Sequence, residues 1–114
     1  MQALFIELPS FERHRRNYLD DEAFSALQQW LMQCPDAGDV IQGCGGLRKL
    51  RYADCRRQKG KRGGIRVIYY WWFGGAQCWL FTLYGKDEQD DLNPAQRKAL
   101  ARLLDAEISK RTSE

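Results

Sequence analysis

The chain has 114 residues, 44% hydrophobic and 29% charged, with four cysteines, one histidine and a net charge of +3. That length is short of two cores and sufficient for one, burying roughly two-thirds of the unfolded surface, so the expectation is one domain spanning residues 1–114. The apolar content argues against disorder, and the longest apolar runs fall well short of the ~20 residues of a membrane span or of a signal peptide, so a cytoplasmic protein without membrane attachment is expected.

"ALFIEL", residues 3–8, is a short apolar run closed by Pro9 and reads as an opening strand. Ser10 is placed to cap a following helical turn, "FERHRRNYL". "DDEAFSALQQWLMQ" carries acids in its first turn and Phe24, Leu27 and Leu31 at helical spacing, and it ends before Cys34-Pro35. "PDAGDVIQGCGG" is a turn-rich connector. "LRKLRYA" then reads as a strand, "DCRRQKGKRGG" as a basic loop, and "IRVIYYWWF" and "CWLFTLY" as strands joined by a hairpin at Gly74-Gly75. Asn93-Pro94-Ala95-Gln96 supplies a cap, a proline at the first helical position and a capping-box glutamine, and Leu100, Leu103, Leu104 and Ile108 form the apolar stripe of the helix that follows. The expected fold is α+β, in the order β-α-α-β-β-β-α: an antiparallel sheet of about four strands with helices on one face.

Charge is concentrated in one place. Residues 47–66 hold nine of the eighteen lysines and arginines and a single acid, Asp54, while the rest of the chain has fourteen acids against nine bases. A local field of that sign gathers a polyanion, because each neutralised phosphate releases counterions. Nucleic acid is the first candidate and an acidic protein segment the second. Strand alternation puts Lys49 and Arg51 on one face, with Arg48 and Leu50 on the other. It also puts Arg66, Ile68 and Tyr70 on a common face. Arg66 opens an otherwise apolar strand, where a charge is commonly paired or aimed into a concave site; closing a sheet end through a carboxylate is the plainer alternative. Lys49, Arg51 and Arg66 are thus candidates to bind phosphate, with Arg48, Arg56, Arg57, Lys59, Lys61 and Arg62 extending the basic surface and Tyr70 available to stack on an unpaired base. A solvated basic hairpin is the simpler reading of the loop charges.

Metal-free RNA cleavage needs a base, an acid and cations on the phosphorane. His14, the only histidine, lies in the first expected helix and reads as structural. A lysine crowded by other cations can act as base and arginine can carry transition-state charge. Lys86, which ends the strand beside that of Arg66, is positioned to join them. Asp87, Glu88, Asp90 and Asp91 precede a helix N-terminus, where acids are favoured without any metal, and the cysteines have no zinc-like spacing, so no metal and no cofactor are expected.

The order of elements, "GLRKLR", the glycine-bearing basic loop, "GGIRVIYYW", the hairpin and "LYGKDEQDDLN" before the last helix together resemble the RelE superfamily of toxins, most closely its HigB-like branch. The likeness spans nearly the whole chain. It implies a toxin of a toxin–antitoxin pair, monomeric alone, that enters the ribosomal A site and cleaves messenger RNA without metal. Its partners would be a cognate antitoxin, the ribosome and messenger RNA. The resemblance carries catalytic roles to Lys49, Arg51 and Arg66, with Lys86 supporting, and ribosomal RNA contact to the longer loop. Two positions depart from the family: Asp87 stands where a second functional arginine is found, and Asn93 where a tyrosine is found. A non-catalytic RNA-binding module and a ParE-like gyrase inhibitor are the alternatives.

Overall fold

The computed structural model describes residues 3–52, 64–72, 76–86, 89 and 91–112. The expected Gly74-Gly75 hairpin and the basic loop with Arg56, Arg57, Lys59, Lys61 and Arg62 lie outside the described residues.

Five strands, β1 (Leu4–Glu7), β2 (Asp39–Val40), β3 (Arg48–Tyr52), β4 (Ile65–Trp72) and β5 (Gln77–Gly85), form one sheet in the order β1-β5-β4-β3-β2. The sheet is mixed and not antiparallel throughout, because β1 runs parallel to β5. That pairing joins segments some seventy residues apart, which local patterning does not reveal. The further strand, β2, is two residues at the edge beside β3, inside the segment expected to be only a connector. Its start is fixed by the close approach of Gly38, where a Cβ would lie 2.9 Å from both the Lys49 carbonyl oxygen and the Tyr69 ring. Gly38 N–H donates to Tyr69 Oη, which in turn donates to the Pro35 carbonyl, both at 2.9 Å. Burial pushes the Tyr69 phenol up, against the pull of the Gly38 N–H and of Arg48.

Helices cover both faces, which corrects the one-face arrangement. On one face lie α1 (Pro9–His14), a 3-10 turn (Arg15–Asn17) and α2 (Asp21–Gln33), packing Phe11, Tyr18, Leu19, Leu27 and Leu31 against Leu50, Ile65, Val67, Tyr69, Trp71, Cys78 and Leu80. On the other face α3 (Pro94–Thr112) packs Leu100 and Leu104 against Ile68, Trp79 and Phe81. The sequence carries the reason: β4 and β5 are apolar at nearly every position, so both of their faces need cover. Full burial of each such Leu, Ile or Phe is worth roughly 1.5–3 kcal/mol.

The helix ends follow their caps. Asp20 accepts the Ala23 N–H at 2.8 Å and starts α2. At α3, Asn93 Oδ1 accepts the Gln96 N–H at 2.8 Å and Gln96 Oε1 accepts the Asn93 N–H at 3.0 Å, a complete capping box. Ser10 does not cap. The first helix already starts at Pro9, and the Ser10 hydroxyl instead hydrogen-bonds Thr82 on β5 at 2.8 Å, tying α1 to the sheet. Leu103 leaves the expected stripe and is 50% exposed, since the sheet takes only the Leu100, Leu104 and Ile108 edge of the helix. Near its C-terminus α3 is clamped by Arg111, whose guanidinium lies 4.8 Å from the Trp79 ring centre and 5.6 Å from that of Trp72.

Candidate nucleic-acid interface

β3 and β4 place the three strand cations together. Lys49 pairs across the ladder with Ile68, and Arg51 pairs directly with Arg66. Because Leu50 and Val67 face the α2 side, Lys49, Arg51 and Arg66 all project on the α3 side of the sheet. This face is covered by α3 over its middle, and Lys49 and Arg51 border the segment leading into that helix at Asp91 and Leu92. Arg66 is 3% exposed and is the one charged residue in the buried set among the described residues, while Arg51 is exposed. Directly opposed residues sit roughly 4.5–5.5 Å apart at Cα, and like charges so placed destabilise a sheet.

Lys49 is held by Asp91, with Nζ donating to Oδ1 at 3.0 Å; Arg97 on the first turn of α3 approaches the other carboxylate oxygen at 3.7 Å. Burial opposes ionisation of Asp91, but the hydrogen bonds from Lys49 and from the Leu92 N–H, together with the charges of Lys49 and Arg97, outweigh it and hold the carboxyl below its ordinary value. Asp39, Gln42, Lys49, Arg51, Asp91 and Arg97 surround a cavity of about 290 Å³. A second cavity of about 390 Å³, largely apolar, runs between α1, β5 and α3 on the other side of Leu92. His14 lines it, with Nδ1 2.9 Å from the Ser10 carbonyl, a local bond within its own helix.

The remaining expected site residues are more scattered. Lys86 follows the end of β5, its N–H donating to the Gly64 carbonyl at 3.0 Å, two residues beyond the Tyr84 that pairs with Arg66. Arg48 faces away from the cluster and donates to the Gly38 carbonyl at 2.7 Å, securing the connector. Tyr70 does share the face of Arg66, but it lies four residues along β4, some 13 Å at ~3.3 Å per residue. Its ring packs on Trp79 at 5.4 Å and against Gly46, whose added Cβ would come within 3.0 Å. Tyr70 is therefore half-buried, and it lines a separate cavity of about 280 Å³ with Arg48. Among the described residues no group of three or more His, Cys, Asp or Glu is placed to hold a metal ion, and Asp91 is engaged with cations. No described helix is long and apolar enough to cross a membrane.

Sequence reading missed Arg97. The signal was available: an arginine in the first turn of a helix stands at the positive end of the helix dipole, where acids are preferred, so it calls for a partner or a task.

The chain matches no family model. Among solved structures it is similar to a mutant of the E. coli toxin RelE in the free state, with a TM-score of 0.53 and 13% identity over 79% of this chain and 90% of that one. It is also similar to a chain of the intact E. coli RelBE toxin–antitoxin complex, with a TM-score of 0.50 and 13% identity over 72% of this chain and 94% of that one. At this identity the likeness is one of fold: a RelE-like α+β architecture.

Proposed function

We propose that this protein is the toxin of a toxin–antitoxin pair, of the HigB-like kind, acting in the cytoplasm as a ribosome-dependent endonuclease on messenger RNA. The observation that carries the reading is the direct pairing of buried Arg66 with Arg51 beside Lys49. Cations gathered on one face of a sheet concentrate a positive potential suited to a phosphate, and the scissile phosphate of messenger RNA is assigned to it.

Cleavage proceeds by attack of the 2′-hydroxyl on the adjacent phosphorus, with departure of the 5′-oxygen. Arg66, rigid in the central strand, faces the charge that accumulates on the non-bridging oxygens, a contribution that strengthens in a water-poor site. Lys49 and Arg51 supply proton transfer or further phosphate contact, and Lys86 reinforces the cation cluster. The described part of the cluster has no histidine, so it depends on accurate placement of the substrate, and the ribosomal A site provides that placement. The loop with Arg56, Arg57, Lys59, Lys61 and Arg62 contacts ribosomal RNA. An antitoxin neutralises the basic face; the RelBE chain, which has the same fold, comes from a toxin–antitoxin complex.

Induced expression in a bacterial host tests this reading. The wild-type chain stops growth, whereas Arg66→Ala permits it and keeps the same far-ultraviolet circular dichroism. An Arg66→Ala chain that remained fully toxic would remove Arg66 from the site.

A further inference from the structure

The Asp91 carboxylate lies between two cations. Its two oxygens face two cations from different elements, Lys49 of β3 and Arg97 of α3, at 3.0 and 3.7 Å. Carboxylate and phosphate present the same pair of oxygens to such donors. The placement is built rather than casual. Gln89 Nε2 donates to the Asp91 main-chain carbonyl at 2.9 Å and its side chain also bonds Gln96, the capping-box residue, while the neighbouring Leu92 is buried under α3. The backbone at residue 91 is thus held by Gln89 and by buried Leu92 in addition to the side chain, whose Oδ1 also accepts the Leu92 N–H at 2.7 Å. The carboxylate itself is 48% exposed at the rim of the 290 Å³ cavity. Ion pairs that exposed add little net stability, so its displacement by a phosphate costs chiefly the bond from the Leu92 N–H.

We infer that Lys49 and Arg97 form a phosphate subsite for single-stranded RNA, next to the Arg51–Arg66 pair, and that Asp91 fills it in the free protein as an internal counter-ion that swings out when RNA binds. The inference rests on the proposed function for the nature of the ligand. Arg97 thereby becomes a substrate-binding residue and Asp91 a self-masking one, setting how tightly the free protein holds RNA that no ribosome presents. The other anion compatible with two cations is an acidic protein segment; the flanking exposed bases of α3, Lys98 and Arg102, and the opposed arginines favour the regularly spaced charges of a nucleic-acid backbone.

The test is binding of a fluorescent 2′-O-methyl RNA hexanucleotide, which cannot be cleaved, to the full chain over a range of salt concentrations, with thermal unfolding to confirm folding. Asp91→Asn keeps the acceptor for the Leu92 N–H and removes the counter-charge; it should tighten binding by about threefold to tenfold at low salt. Arg97→Gln should weaken binding comparably and reduce the slope of log K against log salt by about 0.7, and Arg97→Lys should restore both. The double variant should lose part of the gain of Asp91→Asn, because that gain passes through Arg97. Unchanged affinity in both single variants, or no binding by any variant, overturns the inference. So does an oligoglutamate peptide that gains from Asp91→Asn while the RNA does not. Because the probe needs neither ribosome nor cleavage, these results separate from the function: cleavage with unaltered Arg97→Gln binding sinks only the subsite, and the expected binding shifts without cleavage sink only the nuclease.

Discussion

Replacing Asn93 with alanine removes a single amide but breaks the start of α3 on two counts. The Gln96 N–H loses its acceptor at 2.8 Å, and the reciprocal bond from Gln96 Oε1 to the residue 93 N–H, at 3.0 Å, loses the geometry that held it. Loss of a capping side chain costs about 1 kcal/mol, within a range of roughly 0.5–2. The helix should survive, because Leu100 and Leu104 remain packed under it and Arg111 remains over Trp72 and Trp79. The penalty should therefore appear as a cooperative shift and not as a separate transition. For a chain of this size 1 kcal/mol corresponds to a fall in melting temperature of about 4 °C. Asn93→Asp should retain full stability, since a carboxylate caps as well and favours the helix dipole. Asp20→Ala at α2 removes an independent cap of the same length, 2.8 Å, on the opposite face of the sheet, and the two losses should add to within about 0.5 kcal/mol. Urea unfolding followed by circular dichroism gives all four values. Equal stability of Asn93→Ala and wild type, or an Asn93→Asp variant as weak as the alanine, would refute the capping argument.

The α3 stripe makes a sharper contrast: Leu104→Ala, at 1% exposure, should cost about 2–5 kcal/mol, whereas Leu103→Ala, at 50%, should change stability by less than about 0.5, both read from denaturant midpoints. Acid should dissolve the Lys49–Asp91–Arg97 network. The Asp91 carboxyl lies below its ordinary value of 3.8 in the folded chain, so its stabilisation is fully present above that value and disappears as pH falls through the lower folded value. The contribution is below about 1 kcal/mol because the carboxylate is half exposed. Wild type should therefore exceed Asp91→Asn in stability at pH 6 and converge with it as the pH falls through the lowered folded-state value of the carboxyl; a gap that is constant or widens in acid would contradict the assignment.

What the sequence disclosed was local. The Asn93-Pro94-Ala95-Gln96 run located the start of α3, the acids of Asp20-Asp21-Glu22 located that of α2, and alternation put Lys49 with Arg51 and Arg66 with Ile68 and Tyr70, while the ladder register brings the two sets to one face. What it concealed depended on distant partners. The opening strand "LFIE" has the same appearance whichever neighbour it takes, and only assembly of the sheet sets it parallel to β5. A two-residue edge strand such as Asp39-Val40 has no periodicity to detect. The choice of one covered face or two turned on β4 and β5, whose continuous apolar character fits a sheet buried on both sides. Tyr70 was in phase with Arg66 yet out of reach, because phase fixes a face and not a distance along the strand. Arg97 and Asp91 meet Lys49 only after α3 folds back over the sheet, so their part in the cationic site belongs to the tertiary structure alone.

The most direct test of the account is to add the purified protein to a reconstituted translation reaction and map messenger 5′ ends, with the same RNA lacking ribosomes alongside. New ends at codon boundaries that require both ribosomes and Arg66 are the predicted result. Intact messenger in both reactions, with the protein folded and bound to RNA, would contradict the nuclease and leave the paired arginines as a surface that holds RNA without cutting it.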